Sequence, residues 1–495
     1  MKKIFLIYFV LVGLSMACTD KFDDYNTDDK NPAAVKGEFL FTNAQKELVD
    51  QISNTNVNLN VWKLFAQYWT ETTYTDEANY DIINRSIPDN AFRTYYRDVF
   101  NPLKQAKALI TNNKIGGFET AVTIANKIAI IDIIEVYGYY NLMVTFGDIP
   151  YSEALDIENI NPKYDDAETV SLDLLNRLNT DIATLLSVAD SKSFFNGADK
   201  IYGGNIVAWT KFAQSLKLKI GITIADANSQ AAQTAVESAI TGGVFTSSAD
   251  NAVFVYENST PNTNKLHEDL VLSGRSDFVP ANTIVDLMVG LNDPRVNNYF
   301  TNMIDTSTED GVVKMAWIGG VYGASNSFPN CSHINDVIQT ATFPGFLLTY
   351  DEILFYMAEA AERGYAVGMT AEEAYNAAIT ASFNFWGAAG ADTYLATAEV
   401  AYTTATGDWR QKIGTQAYIA FYTRGLIGYT EYRRLDYPQM NVAPSAATDG
   451  PVPTRFTYPV NEQTLNKANY AAAAAAIGGD DLLTRIFWDI ADPAK

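Results

Sequence analysis

Acid–base and metal chemistry draw first on histidine, and this chain of 495 residues has two, His267 and His333. Neither has a cysteine or carboxylate partner at ligand spacing, so each reads as a loop or structural residue. The sequence contains no phosphate loop, no dinucleotide-binding glycine fingerprint and no zinc-protease helix motif. A Ser-His-Asp site has no nucleophile elbow to support it. Glycoside hydrolysis needs only two carboxylates across a cleft. The adjacent pairs Asp165-Asp166, Glu372-Glu373 and Asp480-Asp481 are what a chain with 58 acidic residues supplies for solvation. Hydrolysis is thus an alternative without a motif behind it, and the residues assign no catalytic group, no metal and no cofactor.

Binding chemistry is better served. Sugars present flat C–H faces ringed by hydroxyls, so a surface that holds them needs aromatic rings beside Asp, Asn or Arg. Most aromatics here sit at helical spacing and are expected in the core; Trp62, Trp69, Trp209 and Trp386 belong to that set. Two stretches differ. Glu71 to Ile82 carries Tyr74 and Tyr80 with Asp76 and Asn79, outside any clear apolar stripe. A second loop places Trp317, Tyr322 and Asn326 among glycines 319, 320 and 323, which build no core themselves. These seven residues are the candidate ligand contacts, and Trp317→Ala or Tyr74→Ala is expected to weaken oligosaccharide binding. The competing reading is that each ring packs beneath its own loop.

The elements that must position these loops are helices. Trp62, Phe65, Ala66 and Trp69 fall at i, i+3, i+4 and i+7, which predicts one amphipathic helix. A helix pair is expected over about 90–112 and 119–145, its second member apolar almost all round and stopped by Gly147 and Pro150. The next pair spans about 168–188 and 205–226, with one stripe of Leu174, Leu178, Ile182 and Leu185. Thr349-x-x-Glu352 and Thr370-x-x-Glu373 read as capping boxes opening a third pair. Gly364 and Gly368 bracket its turn, and alanines such as Ala358, Ala374 and Ala378 hold its helices close. Antiparallel pairs of this kind suggest tetratricopeptide-like units. Between the pairs, about 231–346 is rich in loops, with a short strand near Ala252 and a helix at Asn282 to Leu291. A Pro-rich tail (444–459) leads to a six-alanine helix segment (471–476).

The start of the chain fixes its destination. Lys2 and Lys3, the apolar run Ile4 to Leu14 and Ser15-Met16-Ala17 form a secretory signal over 1–17. That run is well short of the ~20 residues a membrane span requires. Cys18 directly behind small residues looks like a bacterial lipobox, with Ser15 three places before the cysteine and Leu14 one step earlier than the common pattern. The competing reading is an ordinary signal with an incidental cysteine. Lipidated at Cys18, the chain is tethered, because two or more acyl chains anchor stably where one binds marginally. Residues 18–36 are the polar tether. The formal charge is −23, and losing Lys2 and Lys3 with the signal makes it −25. Such acidity argues against nucleic acid, whose phosphates require a basic face. The other cysteine, Cys331, would then have no disulfide partner.

Several segments together resemble the SusD/RagB family of outer-membrane nutrient-binding lipoproteins, in its starch-binding-associated SusD-like branch. They are CTDKFDDYNTD (18–28), FGDIPYSEAL (146–155), IYGGNIVAWTKFAQSLKLKIGI (201–222), DPRVNNYF (293–300) and LLTYDEILFYMAEAAERGY (347–365). GYTEYRRLDYP (428–438), PTRFTYPVNEQTLN (453–466) and NYAAAAAAIGGDDLLTRIFW (469–488) complete the set, which spreads over nearly the whole mature chain. The resemblance implies an all-α fold of tetratricopeptide-like helix pairs with a loop-rich ligand-binding face. It implies one SusD-like domain over 37–495, with a helical scaffold at about 37–230 and 347–440, an insert at about 231–346 and a C-terminal segment at 441–495. It also implies a surface lipoprotein of the outer membrane, seated as a lid over a SusC-like TonB-dependent transporter, that captures oligosaccharide, or in some members peptide, without catalysis. Arg433, Arg434, Arg455 and Glu462, within these segments, read as an internal salt-bridge set.

Overall fold

The computed structural model describes residues 35–112, 119–187, 197–305 and 314–490. Cys18, the signal segment and nearly all of the tether lie outside those residues. The first half of the chain is a run of helices: α1 (Gly37–Ser53), the single turn α2 (Trp62–Phe65), α3 (Ile87–Arg93), α4 (Asn101–Asn112), α5 (Ala121–Phe146), α6 (Ala167–Leu186), α7 (Ile206–Thr223) and α8 (Ser229–Gly242). Consecutive members from α4 onward pack side by side, and α1 lies along α4. Helix α5 is buried almost continuously from Ala129 to Phe146, which explains why its sequence has no polar face. It ends where Gly147 adopts a φ of 84°, a conformation that glycine enters without a Cβ penalty. Thr120, Asp166, Asn205 and Asn228 cap α5 to α8, each side chain accepting a backbone N–H three residues on.

The second half adds α9 (Asn282–Gly290), α10 (Tyr350–Glu362), α11 (Ala371–Trp386), α12 (Trp409–Ala420), α13 (Gly425–Leu435) and α14 (Lys467–Ala476). Helices α10 and α11 form the pair expected from their alanines, and Gly364 and Gly368 turn between them with φ of 79° and 80°. Helix α10 also rests on α7, joining the two groups, and α13 rests on α2. Strands occur only as short pairs among the described residues. The two that matter below are β1 (Trp69–Glu71) against β2 (Phe278–Pro280), antiparallel with Thr70 opposite Val279.

Four sequence expectations are corrected. Trp62, Phe65, Ala66 and Trp69 are all buried, but not by one helix: α2 stops after a turn and Trp69 opens β1. The expected 90–112 helix begins at Ile87 and carries a π-helical stretch at Thr94–Phe100 before α4. Thr370 and Glu373 do form a capping box, whereas Thr349 and Glu352 do not. Instead Thr349 accepts from Arg424, and Glu352 is drawn inward to Lys219 at 2.7 Å. Finally, the arginines of the expected salt-bridge set are internal but not paired with Glu462. Arg434 binds Glu359 and Glu431, Arg455 binds Asp480 at 2.7 Å, and Arg433 donates to the carbonyls of Val144 and Thr454.

The segment after α13 returns across the first half of the chain. Phe456 donates its N–H to the Thr145 carbonyl at 2.9 Å. Its ring lies 6.1 Å from Trp62 and 5.6 Å from Phe65, centroid to centroid. Asp89 accepts the N–H groups of Val460 and Asn461.

Candidate functional site

The two loops singled out from the sequence, some 240 residues apart, fold against one another. After β1 the chain enters a tight turn in which Tyr74 and Tyr80 both take positive φ, 58° and 72°. Asn79 fastens this turn: its amide donates to the carbonyls of Thr75 (2.7 Å) and Gly323 (2.8 Å), and its side-chain oxygen accepts from Ser445 N–H at 2.8 Å. Asn326 fastens the other loop, donating to the Glu71 and Ala324 carbonyls at 3.0 and 2.7 Å and accepting from Val321 N–H. The glycines are needed for contact. A Cβ on Gly319 would lie 2.4 Å from the Asn282 Cα, and one on Gly320 would lie 2.6 Å from a Val279 methyl.

Burial sorts the seven candidates. Tyr80 and Tyr322 are enclosed, with ring centroids 6.2 Å apart, and the Tyr322 hydroxyl donates to the Leu64 carbonyl at 2.9 Å. They, with Asn79 and Asn326, form the base that fixes the loops. Trp317 is half-buried against the core, its indole N–H without a partner. Tyr74 is 66% exposed and Asp76 is also exposed. Sequence reasoning missed their neighbours Arg275 and Asp277. Thr72 donates its N–H to the Asp277 carbonyl, which brings 275–277 beside the turn, and Arg275 pairs with Asp277 at 2.5 Å. The available signal was a Ser-Gly-Arg-Ser-Asp turn between apolar stretches, a common pattern on any surface. The outward face thus offers one ring, two carboxylates and one guanidinium on a braced base. That set can stack on a sugar ring and hydrogen-bond its hydroxyls.

Beneath the turn lie two buried carboxyls, Glu71 and Glu77. The Ala78 N–H donates to Glu71 at 2.9 Å, and Arg85 pairs with Glu77. Burial, then the Glu77 charge, pushes the Glu71 pKa up to about 9, so Glu71 keeps its proton at neutral pH.

Most of the groups weighed for catalysis have structural partners. His267 Nδ1 lies 2.8 Å from the Gln339 carbonyl, and His333 Nε2 lies 3.0 Å from that of Phe328, whose ring it stacks on. Asp165 accepts the N–H groups of Tyr151 and Ser152, while Asp166 caps α6. Glu373 completes a capping box, Asp480 holds Arg455, and Asp481 accepts from Leu483 N–H. Among the described residues no three His, Cys, Asp or Glu side chains converge as a metal site, and no helix is long and apolar enough to cross a membrane.

A SusD-like family model described as "Starch-binding associating with outer membrane" matches residues 29–459. Solved structures share the fold. A chitin-binding protein is 22% identical with a TM-score of 0.77, covering 92% of this chain and 100% of its own. A SusD homologue from Bacteroides uniformis is 24% identical with a TM-score of 0.77, covering 92% and 99%. A chitin-binding SusD homologue from Flavobacterium johnsoniae is 23% identical with a TM-score of 0.75, also covering 92% and 99%. No curated protein matches the chain.

Proposed function

The chain belongs to the SusD-like family of starch-binding-associated, outer-membrane-associating proteins, and from that premise we propose that it is a non-catalytic surface receptor that captures oligosaccharides and delivers them to a SusC-like TonB-dependent transporter. The observation that carries the ligand assignment is the exposed Tyr74 ring beside Asp76, Arg275 and Asp277, on loops locked by Asn79 and Asn326. Because that base is already ordered, little loop entropy is lost on binding. The chitin-binding relatives of the same fold support glycan over peptide as ligand. Purified protein should retain starch- or chitin-derived oligosaccharides without turning them over. Tyr74→Ala should weaken that binding at least about fivefold, roughly 1 kcal/mol, as expected for an aromatic anchor. Its melting temperature should be unchanged, since the ring touches mostly solvent. Unaltered affinity in Tyr74→Ala, or product formation by the wild type, would overturn the reading.

The lipid anchor completes the proposal. Cys18 is the acylated N-terminus, and the acidic tether behind it joins the receptor to the membrane that holds the transporter. Gentle detergent extraction of wild-type membranes should recover the protein together with a transporter barrel. Cys18→Ala should shift the protein from the membrane to the soluble fraction. If Cys18→Ala stays membrane-bound and surface-labelled, the anchor is elsewhere.

A further inference from the structure

Four lysines are buried among the described residues: Lys63, Lys127, Lys217 and Lys219. Three have evident reasons to be there. Lys63 donates to the carbonyls of Ser53 and Asn54, Lys127 pairs with Glu38 and Glu119, and Lys219 pairs with Glu352. Lys217, at 6% exposure, has neither an ion pair nor a hydrogen bond among the described residues. Burial of its side chain lowers the Lys217 pKa, and no anion stands beside the ammonium to offset that.

Lys217 sits on α7, at the floor of an open cleft of about 460 Å³ between α6 and α8. That volume lies within the range of about 300–1,000 Å³ typical of small-molecule pockets. The walls are two helical stripes. Asn176 and Asn179 face the cleft from α6, and Gln230, Thr234 and Ser238 face it from α8. All five are exposed at the rim, and the three amides make no hydrogen bond among the described residues. Below them Leu172, Leu175 and Ala235 give the cleft an apolar lower edge. No wall residue carries a charge, so the single cation on the floor is uncompensated.

We propose that this cleft is a second binding site, separate from the Tyr74 face, for a small monocarboxylate rich in hydroxyl or other hydrogen-bonding groups, with Lys217 pairing with the carboxylate. One point charge matches one negative charge. A phosphate, at about −1.5 to −2, would find no second cation and no guanidinium fork in the cleft. The neutral amides suit hydroxyl groups, and the apolar edge suits C–H faces. A uronic acid meets each of these requirements.

Titration of the purified full-length protein with D-glucuronate, D-glucose and L-glutamate tests this. D-glucuronate is expected to bind saturably and at least about tenfold more tightly than D-glucose. Lys217→Met and Lys217→Gln should each reduce glucuronate binding at least about tenfold, with a melting temperature equal to or above that of the wild type. Binding of L-glutamate, a dicarboxylate without hydroxyl groups, in place of D-glucuronate would overturn the assignment. Absence of saturable binding by either carboxylate to the wild type overturns the proposal, as does glucuronate affinity unchanged in both variants. Neither outcome bears on oligosaccharide retention at Tyr74, which is read separately.

Discussion

Arg434→Met should lower the unfolding free energy by about 3–5 kcal/mol, the loss expected when one partner of a buried ion network is removed. Arg434 is fully enclosed between α10 and α13. It donates to Glu359 at 2.9 Å, to Glu431 at 2.7 Å and to the Ile222 carbonyl at 3.2 Å. The network continues: the Tyr356 hydroxyl bridges Glu431 and Glu352, and Lys219 closes on Glu352. Burial opposes ionisation of Glu359, but the charges of Arg434 and Arg363 outweigh it and leave its pKa lowered. Removing the guanidinium strands Glu359 and Glu431 as buried charges with one cation fewer. Methionine fills much of the space, so the loss reports charge more than cavity. Arg97→Met is the comparison, because Arg97 is largely exposed and pairs with its neighbour Asp98. Its effect should stay within about 0.5 kcal/mol. Denaturant unfolding of both variants measures the difference, and a loss under about 1 kcal/mol for Arg434→Met would contradict this account of the core.

Glu71→Gln should flatten the alkaline arm of the pH–stability profile. In the unfolded chain this carboxyl ionises near its ordinary value of 4.5, while in the fold it holds its proton to about pH 9. Its stabilising contribution is therefore complete below pH 4.5 and is eroded as pH rises toward 9, at about 1.4 kcal/mol per pH unit. Glutamine keeps the neutral shape and has nothing to ionise. Between pH 6 and 8 the variant should gain about 3 kcal/mol on the wild type. Asp181, whose pKa is also raised to about 9, remains in both proteins and drops out of the difference. Parallel profiles for the two proteins would show that Glu71 is already ionised in the fold.

Much of the helical scaffold was legible because its signals are local. The all-round apolar run of α5, the Leu174–Leu185 stripe and the Thr370–Glu373 box all depend on residues within a few turns of one another. The failures occurred where distant partners took over. Thr349 and Glu352 spell the same box, but Arg424, just before α13, and Lys219, from α7, bind those side chains instead. Trp69 keeps helical spacing from Trp62, yet β2, some 200 residues later, pairs with it as a strand. The candidate site divides the same way. Composition marked both loops, but only their contact with each other determines that Tyr80 and Tyr322 are enclosed while Tyr74 is exposed. Arg275 and Asp277 carried no distinguishing pattern. Their place beside Tyr74 depends on strand pairing that no local reading supplies.

The return of Phe456 across Trp62 and Phe65 has a consequence for the growing chain. About 390 residues separate these rings in the sequence. At about 5–20 residues per second, the ribosome takes roughly 20–80 s to supply the late ring after the early ones. Throughout that interval, Trp62 and Phe65 lack the side chain that covers them in the finished protein. Helices α4 to α8 can pair in order of emergence, since each packs on its neighbour. The N-terminal aromatic cluster cannot close so early, and during synthesis it is an exposed apolar surface open to chaperones and to other nascent chains.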